Sequence, residues 1–158
     1  GADEIDMVIP WRLVAGDPRE VSNQIGSVRH AAVGASLKTI LETGELADPA
    51  LIRKAADLAL AAGADFLKTS TGKVKVNATL SAAEILLTAI RDAGAFAGFK
   101  AAGGIRTPEV AAEYLALADR IMGEGWATPE TFRFGASGLL DALLATLGGS
   151  DAKPSDGY

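Results

Sequence analysis

"DPALIRKAADLALAAGADFLKTSTGK", residues 48–73, contains one complete folding unit. Asp48 followed by Pro49 is a helix start, because a proline at the first helical position forfeits no hydrogen bond. Leu51, Ile52, Ala55, Leu58 and Ala59 recur near the 3.6-residue helical spacing, and Gly63 ends the run. The spacing predicts a helix over 48–64. "DFLKTS" (65–70) then reads as a strand closing on a lysine and followed by a glycine turn. Lysine is seldom buried without a reason, so this strand end is a place to look for chemistry.

The same unit repeats along the chain. Residues 5–9 read as a strand closed by Pro10, and 17–35 as a helix opened by Asp17 and Pro18. Residues 37–42 form a second strand, and 80–95 a helix stopped near Gly94. Residues 97–104 form a strand ending in paired glycines, and 107–121 a helix capped by Thr107 with Pro108 at its first position. Residues 132–137 and 138–148 make a last strand and helix. Five β-α units with short loops demand a parallel sheet with helical crossovers. An open doubly wound sheet and a (β/α)8 barrel both satisfy this, and both place function at the carboxyl ends of the strands. No G-x-G-x-x-G follows the first strand, which weakens a dinucleotide reading. A closed barrel needs roughly 250 residues, with about 200 as the usual minimum. With 158 residues and exposed parallel edges, the chain reads as the C-terminal five-eighths of a TIM barrel. Residues 1–147 are expected to be the barrel part, and the Gly/Ser/Asp/Pro-rich 148–158 a mobile tail.

The composition narrows the function. Hydrophobic residues make up 49% and aromatics 6%, suited to a helix-rich globular protein. A net charge of −5 argues against an electrostatic nucleic-acid binder, but allows a local site for a small anion. The chain has no cysteine, so no disulfide framework or thiolate metal site is expected, which fits a cytoplasmic setting. No apolar run reaches the about 18 residues of a membrane span, and no signal peptide precedes the first strand. No His/Asp/Glu set has metal-ligand spacing, and no serine has a histidine base at a strand end. His30 reads as a surface residue, and Glu42, Thr43 and Glu45 as a structural lead into a helix.

Lys68 and Lys100 occupy matching positions on consecutive strands, which in a βαβ unit usually lie roughly 4.8 Å apart. If Leu67 and Phe99 pack under helices, alternation turns both lysines inward. Neighbouring ammonium groups and burial each lower a lysine pKa, and a neutral amine is the nucleophile that forms a Schiff base with a carbonyl. Solvated strand-end charges are the plain reading for one such lysine, but two at matched positions favour the reactive one. Asp6 alternates onto the same face, either to handle a proton or to orient a lysine. The turns "STGK" (70–73), "GGIRT" (103–107) and "GAS" (135–137) present bare backbone N–H groups at strand ends. That is how the last loops of a barrel cradle phosphate, with Lys73 or Arg106 adding charge.

"GADFLKTSTGK" (63–73), "GFKAAGGIRT" (98–107) and "RFGAS" (133–137) together resemble the deoxyribose-phosphate aldolase family, and "ILETGEL" (40–46) and "GADEIDMVIP" (1–10) agree. The resemblance covers essentially the whole chain. It implies a class I aldolase needing no metal or cofactor, which cleaves 2-deoxy-D-ribose 5-phosphate to D-glyceraldehyde 3-phosphate and acetaldehyde. It also implies that Lys68 is the Schiff-base lysine, Lys100 the neighbour that depresses its pKa, and Asp6 the proton-relay carboxylate. Tyr158 matches a C-terminal tyrosine that assists proton transfer. Thr69 and Thr71 would line the site. Gly72, Lys73, Gly103, Gly104, Gly135 and Ser137 would surround the phosphate, with Arg106 nearby. Gly138 replaces a second serine found in some relatives. The first three β-α units of the family are absent, so a homodimer or association with the missing N-terminal segment is expected. A catalytically silent fragment that at most binds phosphate and another Schiff-base sugar-phosphate aldolase or transaldolase are the competing readings.

Overall fold

The structure, a computed structural model, describes residues 1–148. Five parallel strands, β1 (Glu4–Val8), β2 (Ser36–Ile40), β3 (Phe66–Lys68), β4 (Gly98–Ala102) and β5 (Phe132–Gly135), lie in sequential order. Helices α1 (Pro18–Ala31), α3 (Pro49–Ala61), α4 (Leu80–Ala93) and α5 (Pro108–Met122) follow the first four strands, and α6 (Gly138–Gly148) follows β5. A short α2 (Thr43–Leu46) leads into α3. Successive helices pack on one another, α1 on α3, α3 on α4, α4 on α5 and α5 on α6. A doubly wound sheet reverses its strand order and carries helices on both faces. Here the order never reverses, which is the arrangement of five consecutive units of a (β/α)8 barrel.

The core lies between the helices and the outer face of the sheet. Leu37, Leu67 and Phe99 from the strands are fully covered by Val21, Ile25, Ala55, Ala59, Leu86, Leu87 and Ile90 from the helices. Because strand side chains alternate, burying this set turns Glu4, Asp6, Lys38, Phe66, Lys68, Gly98, Lys100 and Arg133 to the concave face. Asp17, Asp48, Thr79 and Thr107 each accept a backbone N–H at the start of a helix, so all four starts are capped, and those of α1, α3 and α5 are proline-led as well.

The differences from the sequence reading are local. β1 begins one residue earlier than expected, and Ile9 lies beyond it. β2 stops at Ile40, because Glu42 turns the chain through the left-handed region (φ 54°) into α2. A 3₁₀ turn at Trp11–Leu13 was not anticipated. α6 runs to Gly148, one residue into the stretch assigned to the tail, and the rest of that stretch lies outside the described residues.

Candidate active site

The strand register places Lys68 directly opposite Lys100, and Lys100 opposite Arg133. Asp6 pairs with Lys38 on β2. Three lysines converge on the Asp6 carboxylate. Lys68 Nζ donates to Oδ2 at 2.7 Å, Lys100 Nζ lies 3.7 Å from the same oxygen, and Lys38 Nζ lies 3.3 Å from Oδ1. Lys38 also donates to Glu4 Oε2 at 2.5 Å, while Arg133 Nη1 donates to Glu4 Oε1 at 2.7 Å. The concave face therefore holds two linked groups. Asp6 gathers Lys68 and Lys100, Glu4 gathers Arg133, and Lys38 joins the two carboxylates.

The charges explain the pKa directions. Burial pushes Lys100 below the ordinary lysine range, the Lys68 ammonium adds to this, and Asp6 opposes it. Burial works to raise the Asp6 carboxyl. The hydrogen bond from Lys68 and the charges of Lys68, Lys100 and Lys38 outweigh that effect and hold it below its ordinary value. Glu4 is likewise held low, chiefly by its bonds to Lys38 and Arg133. An amine that gives up its proton easily, beside a second amine and a carboxylate, can pass protons to and from a carbonyl adduct.

The expected loop residues divide into two groups. Thr71 donates its backbone N–H to Glu42 Oε1 and accepts from Lys73 N through its hydroxyl, which shapes the 71–73 turn. Lys73, Gly104 and Ser137 are exposed around the strand ends, and Gly72 and Gly135 are half-buried there. Arg106 is exposed beside Thr107, which caps α5. Gly135 makes room for Ala102 and Lys100, since a Cβ there would lie 2.9 Å from Ala102 Cβ and 3.2 Å from Lys100 Cε. Two residues depart from their expected places. Thr69 is fully buried, and its hydroxyl accepts from Ala102 N at 3.1 Å, so it ties β3 to β4 instead of facing the concave side. Gly103 N–H is already given to Gly135 O, so of that pair Gly104 is the one turned outward. Tyr158 lies outside the described residues.

Sequence reasoning missed Lys38 and Arg133 and did not use Glu4. Lys38 is only 2% exposed in spite of its charge. Its signal was present: a lysine inside the apolar, β-branched "SLKTI" calls for a partner on the same face. Among the described residues no three His, Asp or Glu side chains gather as metal ligands, and no helix is long and apolar enough to cross a membrane. A cavity of about 890 Å³ opens at the opposite ends of the strands, beside Asp65, Phe96 and Trp126. No lysine lines it, and neither Asp6, Lys68 nor Lys100 is among its lining residues.

Comparison with known proteins points the same way. The profile of the DeoC/LacD family aldolases matches residues 1–143. A deoxyribose-phosphate aldolase of Agrobacterium fabrum is 60% identical over 161 aligned positions, covering 100% of this chain and 62% of the relative. A Toxoplasma gondii structure, provisionally named a deoxyribose-phosphate aldolase, superposes with a TM-score of 0.85 at 29% identity, over 97% of this chain and 62% of that one. A Coccidioides immitis structure with the same provisional name gives 0.79 at 32%, over 93% of this chain and 53% of that one. A tetrameric deoxyribose-phosphate aldolase of Aeropyrum pernix, 24% identical, shares the fold with a TM-score of 0.71 over 93% of this chain and 56% of that one. The chain thus spans about three-fifths of the length of the Agrobacterium relative.

Proposed function

The chain belongs to the DeoC/LacD aldolase family, and on that footing we propose that it supplies the catalytic strands of a class I aldolase that cleaves 2-deoxy-D-ribose 5-phosphate. One observation carries this reading: Lys68 and Lys100, paired across β3 and β4, meet on the same Asp6 oxygen. In its neutral form the Lys68 amine attacks the C1 aldehyde of the open-chain sugar. Loss of water from the carbinolamine leaves an iminium that withdraws electrons from the neighbouring carbon. A base takes the C3 hydroxyl proton, the C2–C3 bond breaks, and its electrons enter the enamine as D-glyceraldehyde 3-phosphate leaves. Protonation of the enamine carbon and hydrolysis then release acetaldehyde and free the amine. Lys100, held below the ordinary lysine range by burial and by Lys68, and Asp6 are placed to move these protons. Tyr158 is assigned to the enamine protonation by family likeness. Gly72, Lys73, Gly104, Arg106, Gly135 and Ser137 would receive the phosphate at the strand ends.

Residues 1–147 act in this reading as part of a larger barrel. β1 and β5 each have one strand neighbour in the described sheet, and α6 leaves Leu140, Leu143, Leu144 and Leu147 exposed. Three further β-α units would cover both edges and that helix face. The reading places the assembled enzyme in the cytoplasm, where its sugar-phosphate substrate belongs. The test is product analysis on the assembled barrel with 2-deoxyribose 5-phosphate. The reading expects acetaldehyde and D-glyceraldehyde 3-phosphate in equal amounts, lost in Lys68→Ala. Turnover without acetaldehyde would reassign the chain to another Schiff-base sugar-phosphate enzyme, and no turnover would mark it as a silent barrel segment.

A further inference from the structure

We propose that Glu4 is a positioning residue that holds Lys38 away from Asp6, keeping the Asp6 carboxylate available to Lys68 and Lys100. The proposal rests on the aldolase reading above and goes beyond it, because Glu4 pairs with Lys38 and Arg133 and not with the reacting groups. Lys38 is the most deeply buried cation on the concave face, and it has two acceptors within reach. Glu4 Oε2 is at 2.5 Å and Asp6 Oδ1 at 3.3 Å. The nearer acceptor takes the stronger hydrogen bond. Glu4 is fixed from its other side by Arg133, whose Nε is itself anchored on Pro129 O at 2.8 Å and whose guanidinium lies 5.2 Å from the Phe66 ring centroid. Glu4 is therefore held between two cations and links Arg133 to Lys38 in the chain Arg133–Glu4–Lys38–Asp6–Lys68.

Counting charges gives the second half of the argument. The concave cluster contains Asp6 and Glu4 against Lys38, Lys68, Lys100 and Arg133. Cations already exceed carboxylates, so no spare anion is left to replace Glu4. Neutralising Glu4 leaves Lys38 buried with Asp6 as its only anionic neighbour among the described residues, and the Lys38–Asp6 bond tightens at the expense of Lys68–Asp6. The same loss removes a negative charge that sustains protonation of Lys100. Lys100 then deprotonates more readily, while the carboxylate that should serve it and Lys68 is engaged by β2.

The test is the pH dependence of kcat/KM for the assembled barrel and its variants. Glu4→Gln is expected to lower the plateau by about tenfold and to move the acid limb to lower pH, since the limb reports deprotonation of the free enzyme's amine. Glu4→Asp, which keeps the charge, is expected to leave the limb at the wild-type pH. Glu4→Gln with Lys38→Gln removes both members of the pair and leaves no unpartnered buried cation. It is expected to restore the limb and to recover kcat/KM to within about threefold of wild type. A purely structural Glu4 would lower the plateau without moving the limb, and that result overturns the proposal. So does a double variant impaired by more than that margin, including when Glu4→Gln alone fails to fold. An inactive wild type would sink the aldolase reading itself, a different failure from an active enzyme indifferent to Glu4.

Discussion

Gly98 sits on β4 opposite Phe66, two residues before Lys100, and its missing side chain leaves the space that the Phe66 ring occupies. A Cβ at this position would stand 2.3 Å from Phe66 Cε1, 2.6 Å from Cζ and 2.7 Å from Cδ1, where ordinary contact begins at 3.4 Å. In Gly98→Ala the ring edge must therefore retreat by about 1 Å, an over-packing change that typically costs about 1–3 kcal/mol. Phe66 is only 5% exposed, so it cannot swing into solvent without leaving its packing. Its retreat also withdraws the ring from Arg133, a cation–π contact of roughly 0.5–1 kcal/mol. The expected loss is about 2–3 kcal/mol in urea unfolding of the assembled barrel, seen as a lower midpoint at unchanged slope. Phe66→Leu removes the ring edge that clashes, so the double variant should be more stable than Gly98→Ala alone, with a coupling of about 1 kcal/mol or more. If Gly98→Ala unfolds within about 0.5 kcal/mol of wild type, or if the two changes add, Gly98 does not make room for the ring.

Other changes probe neighbouring parts. Asp65 Oδ2 accepts from both Arg29 Nη1 (2.6 Å) and Leu37 N (2.7 Å), so Asp65→Asn should cost about 1–3 kcal/mol by the same assay, and a neutral result would contradict that bracing role. Gly103 has φ +86°, and a Cβ there would lie 2.7 Å from Asn77 Cβ, so Gly103→Ala should distort the 103–106 turn. We expect KM for 2-deoxyribose 5-phosphate to rise about tenfold with little change for unphosphorylated 2-deoxyribose; equal losses for both would separate this turn from the phosphate. The lysines hold the Asp6 carboxyl below its ordinary pKa of 3.8, so its ion pairs add stability above that pH and shed it as pH falls through the lower native value. The stability lead of wild type over Asp6→Asn should therefore be steady near neutrality and shrink below about pH 4. A lead independent of pH throughout acid titration would contradict the ion-paired state of Asp6.

The repeating unit was legible because proline-led caps at three helices, 3.6-residue spacing and the glycines after α3 and α4 agree, and local agreement of this kind fixes element type. Lys68 and Lys100 were legible because alternation predicts a face once Leu67 and Phe99 are assigned to the helices. The Thr69 bonds to the Ala102 backbone depend on how β3 and β4 run past their paired residues, which no local pattern states. Lys38 and Arg133 were missed because their significance depends on register. Only the Asp6–Lys38 and Lys100–Arg133 pairings bring them to the cluster, and no local pattern states which residues face each other across a parallel sheet. The left-handed turn at Glu42 was illegible for a similar reason. Its conformation is held by tertiary contacts, the Thr71 N–H on its carboxylate among them.

The central claim is that Lys68 forms the covalent intermediate. The direct measurement is mass mapping of the assembled barrel after incubation with acetaldehyde and borohydride. The account predicts one reduced two-carbon adduct on the Lys68 peptide, absent in Lys68→Ala. An adduct confined to Lys38 or Lys100, or none at all in a protein that turns over the sugar phosphate, would contradict it.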